Sequence, residues 1–305
     1  MVNLGGVTAV NGNFLRKSLP NPILDSMSID VLTIDYADPE ASVQFENSLK
    51  LSGFAVIKNH PINHDLVQSV YKDWKNFFNN ENKHDLLYDK IKQDGYFPYL
   101  TENAKDSTIK DLKEFYHIYP WGKFPETIGP STMNLYQEIV SLASQLLGWI
   151  EQVCPVEIKN NFSIPLHTMI NGSTSNLFRI IHYPPIEDTI EENALRAAAH
   201  EDINLITVLL AGSEPGLQAQ DLNGKWHDIS CDKNTIAVNS GDMLKMASNN
   251  YYPSTTHRVI NPDSSSNVSR YSMPLFLHPR DEVVLNSEHT ASTYLNERLS
   301  EIGLK

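Results

Sequence analysis

Between residues 163 and 280 the chain is a succession of short β-favouring runs: FRIIHY, LITVLLA, NTIAV, THRVI and RYSMPLFL. Pro184-Pro185, Asn223-Gly224 and Ser240-Gly241 punctuate them. Runs this short, rich in β-branched and aromatic residues and separated by turn formers, predict a sandwich or barrel. The chain before them has a different character. VLTI at 31–34 and FAVIK at 54–58 predict strands. Between them Asp38-Pro39 starts a helix that Phe45 and Leu49 continue and Gly53 stops. Leu66, Val70, Trp74 and Phe77 mark a second amphipathic helix. Leu135, Ile139, Leu142, Leu146, Ile150 and Val153 recur in steps of three and four, which predicts a long core helix. A last helix begins near Thr290 with Leu295, Leu299 and Ile302, whereas the first thirty residues show no strong period. The expected fold is mainly β with flanking helices. A helical and strand region over 1–162 packs on a β core over 163–285, and a helix over 286–305 closes one structural unit.

Charge narrows the partners. The 305 residues carry 24 basic and 37 acidic side chains, a net charge of −13, without a Lys/Arg cluster. Such a chain has no electrostatic footprint for duplex DNA or anionic lipid, so neither nucleic acid nor membrane is an expected partner. Two cysteines, Cys154 and Cys231, are too few for a disulfide framework and read as structural thiols. The first twenty residues lack a charged segment followed by an apolar one, and no stretch reaches about 18 uncharged apolar residues. The expectation is a soluble, cytoplasmic protein.

The chemistry concentrates in His200-Glu201-Asp202. On a strand, alternate side chains share a face, so His200 and Asp202 point one way and Glu201 the other. His257 is the best candidate for a third ligand from a distant strand. Two imidazoles and one carboxylate on one face of an octahedron leave three positions open, which suits Fe(II) that must meet O2 and an organic ligand together. Arg270-Tyr271-Ser272 follows. Arg270 and Ser272 again share a strand face, and a planar guanidinium beside a hydroxyl is a good receptor for one carboxylate. Taken singly, each motif reads better as an ordinary pattern: a lone H-x-D is a metal site about one time in twenty, and a lone buried Arg is more often in a salt bridge. Their order along the chain makes them specific.

With these motifs in place, the chain resembles the isopenicillin N synthase-like branch of the non-haem Fe(II), 2-oxoglutarate-dependent dioxygenases, over about residues 30 to 300. LKLSGFAVIKNHPI at 49–62, the Trp74, Phe77 and Phe78 helix, FRIIHYPP at 178–185, HED, LITVLLAG, GLQ at 216–218, NSGDML at 239–244 and HRV at 257–259 fall in that family's order. The resemblance implies a double-stranded β-helix, or jelly-roll, core. It assigns His200, Asp202 and His257 to the metal, and Arg270, Ser272 and Tyr183 to the cosubstrate 2-oxoglutarate, with Fe(II) as cofactor and ascorbate as a reductant. The implied reaction consumes O2 and 2-oxoglutarate to hydroxylate, desaturate or cyclise a small molecule. Ile181 stands where the family's Asn-x-Tyr has Asn, Asn250 where many members have Gly, and the segment from His257 to Arg270 is longer than usual and predicts an extended hairpin loop. Three other readings stay open: an oxidase like isopenicillin N synthase that uses O2 without a keto acid, a non-catalytic binding module on the same fold, and a zinc hydrolase on the same ligands. Of the other candidates, Arg179 shares a strand face with Tyr183 and could line the cavity, Phe276 could border it, His182 should face away, and His227 and His278 have no partner at ligand spacing.

Overall fold

The computed structural model describes residues 31–103, 108–187, 189–230 and 232–301. The expectations for the first thirty residues, Cys231 and Ile302 lie outside these.

The strands in chain order are β1 (Thr33–Asp35), β2 (Phe54–Lys58), β3 (Gly95–Phe97), β4 (Glu114–Ile118), β5 (Leu177–Tyr183), β6 (Ala197–His200), β7 (Ile206–Leu210), β8 (Leu217–Gln220), β9 (Trp226–Asp228), β10 (Thr235–Ser240), β11 (His257–Val259) and β12 (Arg270–Leu277). They form two sheets. The larger has the order β1-β2-β10-β7-β12-β5-β4-β3, and the smaller β6-β11-β8-β9. The helices are α1 (Ala41–Ser52), α2 (His64–Phe78), α3 (Ser131–Val153), α4 (Val156–Lys159), α5 (Leu166–Met169), α6 (Asp242–Ala247) and α7 (Ala291–Glu301).

Local signals explain the boundaries. Asn63 caps α2 by accepting the N–H groups of Asp65 and Leu66. Gly53 ends α1 in the left-handed conformation, at φ 69°, where a Cβ would be strained. Asp38 does not start α1 directly. Its carboxylate accepts the N–H of Glu40 in a turn, and the helix begins at Ala41.

Side-chain alternation sorts the large sheet into two faces. Ala55, Ile57, Ile180, Ile236, Val238, Tyr271, Met273 and Leu275 join the core shared with the long helices. Phe54, Val56, Ile181, Tyr183 and Ala237 join a second core with Ala197, Leu217, Ala219 and Val259 of the small sheet. Helix α3 fills the first core with Leu135, Ile139, Leu142, Leu146 and Ile150, all at most 3 % exposed. Each such burial contributes about 1.5–3 kcal/mol before entropy is counted. The two-sheet jelly roll with flanking helices is the expected fold class. Strands β1 to β4 extend both edges of its large sheet.

The segment between His257 and Arg270 departs from the hairpin expectation. β11 and β12 lie in different sheets, so the connection crosses between them, through a short 3-10 turn at Ser264–Ser266. The sequence shows the extra length but not which sheet each strand joins. Asn250, at φ 65°, holds a left-handed position, which Asn tolerates better than most side chains.

Candidate metal centre and its cavity

β6 and β11 pair antiparallel with His200 opposite His257, which brings the two imidazoles to 4.4 Å between ring centres. Asp202 does not share their strand. β6 ends at His200, and Asp202 sits in the following loop. His200 and Asp202 therefore converge from a strand end and a loop, not from one strand face as alternation implied. What aims Asp202 is its loop. Its carbonyl accepts the N–H of Asp242, and Gly241 packs so closely that a Cβ there would come within 2.3 Å of Asn204 O. Glu201 is exposed at the edge of the cavity that adjoins the cluster and accepts from Thr256.

The three residues converge. His200 Nε2 and His257 Nε2 lie 3.9 and 3.7 Å from Asp202 Oδ1, and one donor atom from each residue falls within 4.8 Å of the others. Ligand bonds of about 2.1 Å at right angles put neighbouring donors about 3 Å apart, so a small contraction would enclose an ion. The atoms facing away from this point are all engaged. His200 Nδ1 donates to Ala198 O at 2.8 Å and His257 Nδ1 to Thr255 O at 3.0 Å, which leaves both Nε2 lone pairs turned inward. Asp202 Oδ2 accepts Thr207 Oγ1 at 2.5 Å and Asn239 Nδ2 at 2.8 Å, leaving Oδ1 for a metal. Asn204, fully buried, donates to Thr207 in turn.

Electrostatics favours the ligating forms. Burial, reinforced by His257, pushes His200 down to about 4, so its imidazole is neutral at pH 7. Burial opposes ionisation of Asp202, but the flanking imidazoles and the Thr207 and Asn239 hydrogen bonds outweigh it and lower its pKa.

The cluster opens into a cavity of about 710 Å³. Its wall carries an ion network. Lys113 bonds Glu102 at 2.6 Å and Asp111 at 2.8 Å; Arg179 reaches Glu102 at 3.2 Å and donates from Nε to His117 at 2.8 Å. Asp111 Oδ1 also accepts the N–H of Ala198, whose carbonyl holds His200. Burial works against Glu102 as a charge, yet Arg179 and Lys113 hold its carboxyl well below the usual range. Phe276, Tyr119 and His278 complete the inner wall, and the exposed Trp121 with Leu295, Arg298 and Leu299 of α7 forms the rim. Burial pushes His278 down to about 4, so it is a neutral cavity imidazole, and its Nδ1 has no hydrogen-bond partner.

Arg179 and Phe276 therefore do face the cavity, as alternation allowed. His278 was missed. Spacing to other ligand types was the wrong criterion, whereas its position on the inward alternation of the Arg270–Phe276 series would have found it. His182 faces away, bonding Glu114 at 2.7 Å and stacking on Tyr271, and His227 bonds Asp221 at 2.8 Å.

Arg270, Ser272 and Tyr183 lie deeper, on the same inner face, and are not part of the cavity wall. All three are buried, with Arg270 opposite Tyr183 and its guanidinium 5.1 Å from that ring. Arg270 Nε donates to Glu214 O at 2.9 Å, while its Nη1 is buried with no partner. An unspent buried guanidinium donor is what a ligand carboxylate would satisfy.

Residues 174–279 match the 2OG-Fe(II) oxygenase superfamily profile, and residues 22–136 that of the N-terminal region of non-haem dioxygenases, described from morphine synthesis. A crystal structure of an oxygenase from Shewanella oneidensis superposes with a TM-score of 0.81 and 47 % identity, covering 90 % of this chain and 99 % of that one. Gibberellin 2-beta-dioxygenase 3 of Arabidopsis thaliana is 25 % identical over 86 % of this chain and 78 % of its own. Isopenicillin N synthase of Streptomyces griseus is 23 % identical over 91 % and 93 %.

Proposed function

The chain belongs to the 2OG-Fe(II) oxygenase superfamily and is an Fe(II)/2-oxoglutarate-dependent dioxygenase; from that premise we propose that it oxidises a small polar organic molecule bound beside His200, Asp202 and His257. In this reading those three side chains hold the iron, Arg270 and Ser272 bind the far carboxylate of 2-oxoglutarate, and Tyr183 packs against that end. When bound, iron with O2 and 2-oxoglutarate supplies an oxidant for C–H bonds while the keto acid is converted to succinate and CO2. The protein's own contribution is positional. Thr207 and Asn239 fix the carboxylate ligand, and Ala198 and Thr255 fix the imidazole tautomers.

The observation that carries this reading is the continuity of one inner face. The β12 face that begins at Arg270, with its unspent donor, and Ser272 continues by alternation to Phe276, which lines the cavity beside the His–Asp–His cluster. The wall sets Arg179, Lys113, Glu102, His117 and His278 among apolar side chains such as Phe276, Leu177 and Leu299, which favours a substrate that carries hydrogen-bonding or charged groups on an organic framework over a bare hydrocarbon. Titration of 2-oxoglutarate into the anaerobic Fe(II) protein should give a saturable visible charge-transfer band, followed by succinate release in air. An absent band at millimolar keto acid would leave the oxidase reading in its place, with Arg270 binding a substrate carboxylate.

A further inference from the structure

Arg196 immediately precedes β6, and its backbone N–H donates to Asn261 Oδ1 at 3.0 Å. Its side chain turns inward and is 1 % exposed, among the largest fully buried side chains in the molecule. The guanidinium spends Nη2 on Val268 O at 2.5 Å, two residues before Arg270, and its Nε is buried without an acceptor. Among the described residues, neither Arg196 nor Arg270 forms an ion pair with a carboxylate. Burial lowers the Arg196 pKa, and Arg270 beside it lowers it further. Tyr183, the residue opposite Arg270, and the exposed Glu214 act weakly the other way.

Two like charges in a dry interior repel, and each has given up its hydration. Such a pair is expected where an anion completes the site. The unspent donors differ in kind: one is the Nε of Arg196, the other the Nη1 of Arg270. A carboxylate has two oxygens and can accept from both. We propose that Arg196 is a second receptor for the far carboxylate of 2-oxoglutarate, sharing with Arg270 a load that the Arg-x-Ser motif gives to one arginine. The inference rests on the reading that 2-oxoglutarate lies along the inner face of β5 and β12.

The test compares two keto acids of equal length. 2-Oxovalerate has a methyl group where 2-oxoglutarate has its far carboxylate. Each is titrated into anaerobic Fe(II) protein and followed by the visible band. Arg196→Gln should weaken 2-oxoglutarate by about tenfold or more and change 2-oxovalerate by less than about twofold. If Arg196→Gln does not fold, Arg196→Lys carries the test, with a smaller loss confined to 2-oxoglutarate. Equal losses for both acids would make Arg196 a general structural residue, and an unchanged 2-oxoglutarate affinity would remove it from the site; either result overturns the proposal. A wild type that binds neither acid removes the proposal together with the reading beneath it, whereas wild-type binding with no selective loss removes the proposal alone.

Discussion

The metal cluster and the arginine pair occupy two regions of one interior, and their hydrogen bonds are completed to different degrees. Around His200, Asp202 and His257, the outward-facing polar atoms are bonded within the protein, so the inward donors are aimed before any ion arrives. Around Arg196 and Arg270, buried N–H groups stay unspent. The first region is organised by the chain itself. The second, on our proposal, is completed by a ligand carboxylate. Substitutions in the first should therefore disturb metal first, and those in the second should disturb an anion while leaving metal in place.

The largest expected effect is at His257. His257→Ala removes one of three donors and should abolish binding of about one Fe(II) per chain, with the band lost as a consequence. Retention of iron at wild-type stoichiometry would mean the donor set is different. Next is the support behind Asp202. Thr207→Val deletes one of its two outer hydrogen bonds and should lower iron affinity by about 10–100-fold, measured by competition with a chelator. Arg270→Lys keeps the charge but loses the fork; 2-oxoglutarate should weaken by about tenfold with iron binding intact. Loss of both ligands together would erase the distinction between the regions.

Acid stability gives a smaller effect from the cavity beside the cluster. His278 is held neutral by burial, with a folded pKa of about 4 against an unfolded value near 6.5. Below pH 6.5 the unfolded chain takes up a proton that the folded one refuses, so stability falls as pH drops from about 6.5 to 4 and gains no further penalty from this group below that. Its slope is at most about 1.4 kcal/mol per pH unit. His278→Gln should flatten the fall in melting temperature of the metal-free protein over that window; an unchanged slope would assign it to other groups. The smallest effect belongs to Glu201, exposed beside two of the ligands. Glu201→Gln should alter iron affinity by less than about twofold, and a loss comparable to that from Asp202→Asn would place its side chain at the metal.

Legibility in the sequence followed the physics that each feature depends on. β2, α3 and β5 were readable because periodicity reports which faces are buried. The spacing of His200, Asp202 and His257 was readable, but not the loop that aims Asp202, because that aim depends on Asp242 and Gly241, forty residues away. The destination of the 258–269 segment was hidden because sheet membership is set by non-local pairing. Arg196 gave no local signal either. LRAAAH reads as an ordinary approach to a strand, and only the absence of a carboxylate partner among the described residues makes its charge conspicuous.

The rim of the cavity bears on how this enzyme's substrate range can drift through evolution. Leu295, Arg298 and Leu299 border the cavity, yet Ala291 is the one fully buried side chain described on α7. Changes at half-exposed positions usually alter stability by no more than about 0.5 kcal/mol. Leu295 also packs against the first core, so it is at Arg298 and Leu299 that mutations can reshape the entrance without disturbing the His–Asp–His cluster or the two cores. A lineage can explore new substrates there at low risk to folding, while the inner wall, tied into the Lys113 ion network, stays constrained.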